Sequence, residues 1–248
     1  MPKIIQITDF HIYADPLRNY RGVIPAKTLQ QVLLDIGKKH RDSQLILATG
    51  DLVADDFDAY GTLKDDLAIL GKPVYVLPGN HDNPKEMKNR LKGDLVNYVS
   101  NIQIDGWSII MLNSAVEGCV EGTLTQHELQ ILEKNLIDQP NNNILISLHH
   151  QPVAVGSKWL DAIGLLNPDE LFDIIDKHKQ VKGVVFGHIH QEFSSKRNNV
   201  YLIGTPSTGL QFRPGTDDVV LSDELPAYRI IDLKSDGTIE STVVRVRA

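Results

Sequence analysis

Five short polar clusters carry the residues able to do chemistry: Asp9-Phe10-His11, Gly50-Asp51, Gly79-Asn80-His81-Asp82, His149-His150 and Gly187-His188-Ile189-His190. They supply Asp, His and Asn without Cys, the ligand set of a hard or borderline divalent metal rather than of a thiolate zinc site. Side chains at i and i+2 of an extended segment share a face. Asp9 with His11, and His188 with His190, are therefore each expected to converge on one locus. Gly50 lets the backbone approach closely, so that the Asp51 carboxylate can bridge two ions. Asn80 offers a neutral oxygen where another negative charge would repel an anionic substrate. His149 and His150 are neighbours, so an extended backbone would point them opposite ways and leave only one for metal. Taken singly the motifs are weak: an Asp after a strand is commonly a cap, and Gly-Asn-His-Asp can be a polar turn. Their joint recurrence is what indicates a site.

Each cluster follows a β-prone apolar run, at residues 4–7, 45–47, 74–77, 144–146 and 184–186. Ligands of open α/β sheets bind beyond the carboxyl ends of the strands, so these strand ends point to one crevice. Between them lie amphipathic stretches. Residues 25–40 carry Leu29, Val32, Leu33 and Ile36 at helical spacing, and 57–70 repeat the pattern with Leu63, Leu67 and Leu70. Thr125 with Glu128 reads as a capping box. Asn167 before Pro168 reads as the N-cap of a helix over 168–178. Turns at Asp105-Gly106, Asn198-Asn199 and Asp236-Gly237 predict hairpins over 99–113, 193–203 and 227–246. The pattern predicts an α/β fold, a four-layer αββα sandwich of two mixed sheets flanked by helices. Because the clusters run from residue 9 to residue 190, residues 1–248 are expected to form a single domain. The irregular stretch 205–226 is long enough to be functional.

A net charge of −7 argues against a nucleic-acid groove, which needs clustered Lys and Arg. The lone Cys119 excludes an internal disulfide framework and fits a reducing compartment. With no leader-like start and no long apolar stretch, a cytoplasmic protein without a membrane partner is expected. The oligomeric state stays open. His40, His127 and His178 read as surface residues, and Asp55, Asp56 and Asp58 as solvated or helix-start charges. Trp159 reads as a packing residue, with base stacking the other use of such a ring.

Together the five clusters resemble the signature of the calcineurin-like metallophosphoesterases, over essentially the whole chain. The flanking residues are most similar to the bacterial cyclic-AMP phosphodiesterases, notably Thr49-Gly50-Asp51-Leu52, Leu77-Pro78-Gly79-Asn80-His81-Asp82, Gly187-His188-Ile189-His190-Gln191-Glu192 and Gln211-Phe212-Arg213-Pro214. The resemblance implies two divalent or mixed-valence metal ions, drawn from Fe, Mn, Zn and Mg. One would take Asp9, His11 and His190, and the other Asn80, His149 and His188, with Asp51 bridging. The histidine chosen from the pair is His149, because the family ligand is the first histidine after the strand. Gln151 and Gly209 depart from the subgroup, at positions that are not ligands.

The activity so implied is hydrolysis of 3′,5′-cyclic AMP to 5′-AMP. Two metals about 3.5–4 Å apart can activate a shared water and stabilise both oxygens of an in-line displacement. A hydroxide held by the metals would attack phosphorus, with His81 as proton donor to the leaving oxygen and Asp82 orienting its ring. The phosphate would lie against His11, Asp51, Asn80, His81 and His190. Two other readings remain: a phosphodiesterase or nucleotide phosphoesterase of broader specificity, and a non-catalytic scaffold keeping the fold. The scaffold fits poorly with a complete set of ligand positions.

Overall fold

The computed structural model describes residues 1–247. Its strands build two six-stranded mixed sheets. The first runs in the order β14 (Ile239–Arg245), β13 (Ala227–Leu233), β1 (Lys3–Ile7), β2 (Leu45–Thr49), β3 (Val74–Leu77) and β4 (Val96–Asn97). The second runs β5 (Asn101–Ile104), β6 (Trp107–Met111), β7 (Asn143–Ser147), β8 (Val181–Phe186), β10 (Val200–Gly204) and β9 (Phe193–Arg197). Strands β1 to β4 are parallel, as are β6, β7, β8 and β10, and the hairpins add antiparallel edges. A short ribbon, β11 (Gln211–Phe212) with β12 (Leu221–Ser222), lies in the stretch expected to be irregular.

The helices are α1 (Pro25–Lys39), α2 (Tyr60–Ala68), α3 (Pro84–Arg90), α4 (Gln126–Asp138), α5 (Lys158–Asp161) and α6 (Pro168–Ile175). Strand alternation sorts the apolar side chains into three cores. Ile5, Ile7, Ile46 and Ala48 pack under Leu29, Val32, Ile36, Leu63 and Leu67 of α1 and α2. Ile144, Ile146, Val184 and Phe186 pack under Leu129, Leu132, Leu171 and Phe172 of α4 and α6. The opposite faces, with Ile4, Leu45, Leu47, Trp107, Ile109, Leu145 and Val185, meet between the sheets. Parallel strands buried on both faces must be apolar throughout, which is why these runs were so plain in the sequence. The result is the expected four-layer sandwich.

Toward the carboxyl ends of the central strands, the inter-sheet core gives way to a buried polar seam. Gln6 donates to Thr49 Oγ1 (2.9 Å) and to the Phe186 carbonyl (3.1 Å), and accepts from Thr205 Oγ1 (2.6 Å). Arg229, 2% exposed, donates to Thr205 Oγ1, Ser241 Oγ and the Gly204 carbonyl. Burial lowers its guanidinium to about 10. The seam ties the sheets together directly beneath the polar clusters.

Several local expectations change. Thr125 caps α4, accepting from the Glu128 amide (3.3 Å), but the Glu128 carboxylate accepts from the Asn113 amide instead of closing a capping box. Asn167 does not cap α6; its side chain bridges the amide and carbonyl of Leu124 (both 2.9 Å). Helix α3, which shows little apolar periodicity, is started by Asn83, whose Oδ1 accepts from the Lys85 and Glu86 amides. Among the described residues, no helix is long and apolar enough to cross a membrane.

Candidate metal centre

All the expected ligand positions converge. Asp9, His11, Asp51, His149, His188 and His190 are buried. Potential ligand atoms of Asp9, His11 and His190 lie within 4.8 Å of one another, as do those of Asp9, Asp51 and His149. Asn80 lines the same cavity as His11, Asp51, His81, His188 and His190.

The backbone that brings them together is not the extended one expected. Asp9, His11, Asp51, His188 and His190 have φ of 57°, 51°, 50°, 67° and 48°. This left-handed region costs a non-glycine residue about 1–2 kcal/mol, and such strain clusters at functional sites. It is held by hydrogen bonds between clusters: the Asp9 amide donates to the Gly50 carbonyl and the His11 amide to the Asp51 carbonyl (both 2.9 Å). Glycine is required here. A Cβ at Gly79 would sit 2.2 Å from Asp51 Oδ1, and one at Gly50, where φ is +95°, would sit 2.5 Å from His149 Nδ1.

Backbone carbonyls orient two of the rings. His149 Nδ1 donates to the Thr49 carbonyl and His190 Nδ1 to the Leu210 carbonyl (both 2.8 Å). With the tautomers so fixed, each Nε2 turns a lone pair inward. His149 Nε2 then lies 3.4 Å from Asp51 Oδ2, and His190 Nε2 lies 3.2 Å from Asp9 Oδ1. Two acceptors that face each other need a cation between them, a proton or a metal ion. His11 Nδ1, His188 Nε2 and Asn80 Oδ1 are buried without any hydrogen-bond partner. The donor set of imidazoles, carboxylates and one amide oxygen therefore fits hard or borderline divalent ions.

The charges follow the same geometry. Burial favours neutral forms, and it takes His11 down to about 3. Burial opposes charge on His149 too, but Asp51, Asp9 and the Thr49 carbonyl outweigh it and raise the ring to about 9. Burial would likewise raise Asp9 and Asp51, yet the surrounding imidazoles hold both carboxyls below the usual range.

His149 and His150 do not point opposite ways. Their rings are perpendicular with centroids 4.9 Å apart, and the His150 ring is 4.7 Å from that of His188. They differ in what their nitrogens meet. His150 Nδ1 is 2.8 Å from Ser114 Oγ and its Nε2 is 3.1 Å from the Val120 carbonyl, so neither nitrogen is free.

Asp82 does not orient His81. Its carboxylate accepts from the Leu52, Val53 and Gly79 amides and from the Tyr60 hydroxyl. The partner of His81 is Asp55, with Nδ1 and Oδ2 2.7 Å apart. Asp55, expected as a solvated charge, is thus a site residue. The available signal was its position four residues after Asp51, on the same loop. Other residues missed are Tyr20, stacked on His11 at 5.1 Å, and Phe212, stacked on His190 at 4.4 Å. Ser207 was also missed; its hydroxyl donates to the Asp9 carbonyl at 2.7 Å.

Comparison with known proteins identifies the family. The family model for calcineurin-like phosphoesterases matches residues 2–192. A 3′,5′-cyclic-nucleotide phosphodiesterase from Nostoc sp. is 39% identical over 98% of this chain and 92% of its own length. The 3′,5′-cyclic adenosine monophosphate phosphodiesterase of Escherichia coli (strain K12) is 36% identical over 98% and 90%. Among solved structures, a dimetal phosphatase from Danio rerio superposes with a TM-score of 0.70 at 16% identity, covering 99% of both chains. At that identity the likeness speaks for the fold.

Proposed function

The chain belongs to the calcineurin-like phosphoesterases, and from that premise we propose that it hydrolyses 3′,5′-cyclic AMP to 5′-AMP at a centre of two metal ions. The observation that carries this reading is the pair of close contacts, His149 to Asp51 and His190 to Asp9, in each of which a cation between imidazole and carboxylate would satisfy both groups. Near-full-length likeness to cyclic nucleotide phosphodiesterases supports the substrate.

In this reading Asp9, His11 and His190 would hold one ion and Asn80, His149 and His188 the other, with Asp51 available to both. The ions are drawn from Fe, Mn, Zn and Mg. When bound, such a pair supplies water activation and Lewis-acid stabilisation of the phosphoryl oxygens. The protein supplies position and protons. The phosphate lies against His11, Asp51, Asn80, His81 and His190. Asp55 can only accept, so His81 Nδ1 carries the proton between them and Nε2 is left for the substrate. Burial lowers the His81 ring, but Asp51 and Asp55 outweigh burial and raise it above the ordinary histidine value. A ring biased toward its protonated form suits delivery of a proton from Nε2 to the 3′ oxygen as the bond from phosphorus to that oxygen breaks. The enzyme works as one domain on a small cytoplasmic substrate.

The test is metal stoichiometry with product analysis. Metal-free protein titrated with Mn²⁺ should gain activity until two ions are bound per chain, and the product should be 5′-AMP. Saturation at one ion, or release of 3′-AMP, would contradict the reading.

A further inference from the structure

Two cavities open onto the ligand cluster, sharing Asn80, His81 and Val120, and they differ in character. Beyond the cluster, the first is walled by Val120, Trp159, Ile163, Phe212 and Val219, with Arg21 as its cation; its volume is about 160 Å³. The second, about 330 Å³, is lined by Asp55, Phe57, Asp82 and Glu117 and has no lysine or arginine. We infer that the first opening is the nucleobase pocket, in which the base of the cyclic substrate lies on the wall formed by Trp159 and Phe212. This inference rests on the function proposed above and specifies how that substrate sits.

Charge and shape favour the same orientation. A cyclic nucleotide has one anionic end and one flat apolar end. The carboxylates of the second cavity repel the anion, and its one aromatic ring, Phe57, is packed against the core and stacked on Tyr60 rather than joined to the cluster. In the first, Phe212 stacks on His190 at 4.4 Å, and Trp159 meets Phe212 edge-on at 4.8 Å. The aromatic wall is thus continuous with a residue of the cluster, and a ring resting on it stays within reach of the phosphate position.

The wall is also held in place. The Asp161 carboxylate, on α5 with Trp159, accepts from the Val155 and Gly156 amides at 2.7 and 3.2 Å, fixing the preceding loop. The indole Nε1 is buried without a partner, so the ring offers its carbon surface rather than a hydrogen bond. Val120 and Val219 remain 48% and 47% exposed, apolar surface that a bound base would cover.

The experiment compares cyclic AMP with ribose 3′,5′-cyclic phosphate, the same substrate without its base, using metal-loaded enzyme. Stacking on an aromatic side chain predicts a wild-type preference in kcat/KM of roughly 10–100-fold for cyclic AMP, expressed in KM. Trp159→Ala should reduce that preference to about a few-fold, leaving metal content and turnover of the base-free substrate unchanged. Trp159→Phe should restore most of it. An unchanged preference in Trp159→Ala, or equal losses on both substrates, would overturn the inference.

A second measurement covers the case in which Trp159→Ala does not fold. Trp107, the other tryptophan, is 1% exposed between the sheets. Quenching of wild-type fluorescence by 5′-AMP but not by ribose 5-phosphate, absent in Trp159→Phe, would support the pocket. Quenching that survives in Trp159→Phe would overturn it. A wild-type enzyme that cleaves bis(p-nitrophenyl) phosphate and no cyclic nucleotide would defeat the function itself, a result distinct from either of these.

Discussion

The Asp55 carboxylate lies 2.7 Å from Nδ1 of His81 and leaves the other ring nitrogen facing the site. Because Asp55 itself is exposed and sits outside the ligand cluster, proton handling and metal binding are separable by mutation. His81→Ala is expected to lower kcat by roughly 10²–10⁴ with both metals retained. The loss should shrink for substrates whose leaving group, such as p-nitrophenolate, needs little protonation. Asp55→Asn should give a smaller defect of about 10–100-fold with the same leaving-group dependence. A uniform loss across leaving groups would assign the pair to charge stabilisation instead.

Asp51→Asn is expected to damage the centre more than any other ligand change. Asp51 lies near ligand atoms on both sides, 3.7 Å from His11 Nε2 and 3.4 Å from His149 Nε2. Removing its charge should weaken both metals together. Metal analysis that still finds two ions per chain, with unchanged activity, would rule out the shared role.

His149→Ala and His150→Ala should fail differently. Loss of His149 removes the Nε2 that faces Asp51 Oδ2 and His188 Nδ1 and should lower metal content and activity sharply. Loss of His150 strands the Ser114 hydroxyl and the Val120 carbonyl, so it should cost about 1–3 kcal/mol of stability while metal is retained. Thermal unfolding beside metal analysis distinguishes them, and the reverse ranking would show that His150 is the ligand.

Metal uptake should release a proton. In the metal-free protein the His149 ring is raised to about 9, so near neutral pH it holds a proton that an ion must displace. Affinity should therefore rise with pH until about 9 and level off above it. Calorimetry in buffers of different ionisation heat should report release of about one proton per chain near neutral pH. Heats independent of the buffer would contradict this.

Which residues meet was legible in the sequence, because buried parallel strands announce themselves as apolar runs and their carboxyl ends carried the polar clusters. How they meet was not. Asp9 and His11 converge through left-handed backbone that no periodicity encodes, whereas His188 and His190, also left-handed, fall in different ligand groups, one with His149 and the other with Asp9 and His11. His149 and His150 could not be told apart by direction, since the chain is no longer extended beyond β7; only Thr49, Ser114 and Val120, distant in sequence, distinguish them. Asp55 takes the role expected of Asp82 for a similar reason. Adjacency to His81 suggested Asp82, but the amides of Leu52, Val53 and Gly79 had already claimed its carboxylate. The stretch 205–226 was recognisably important by length alone, while its contributions, the Leu210 carbonyl, Ser207 and Phe212, needed the fold.

Substrate preference is decided by a kcat/KM comparison on protein of measured metal content, across cyclic AMP, cyclic GMP, 2′,3′-cyclic AMP and bis(p-nitrophenyl) phosphate. The kcat/KM for 3′,5′-cyclic AMP should exceed that for the artificial diester and vanish when the metals are chelated. A value for cyclic AMP no better than for bis(p-nitrophenyl) phosphate, in protein carrying both ions, would contradict it.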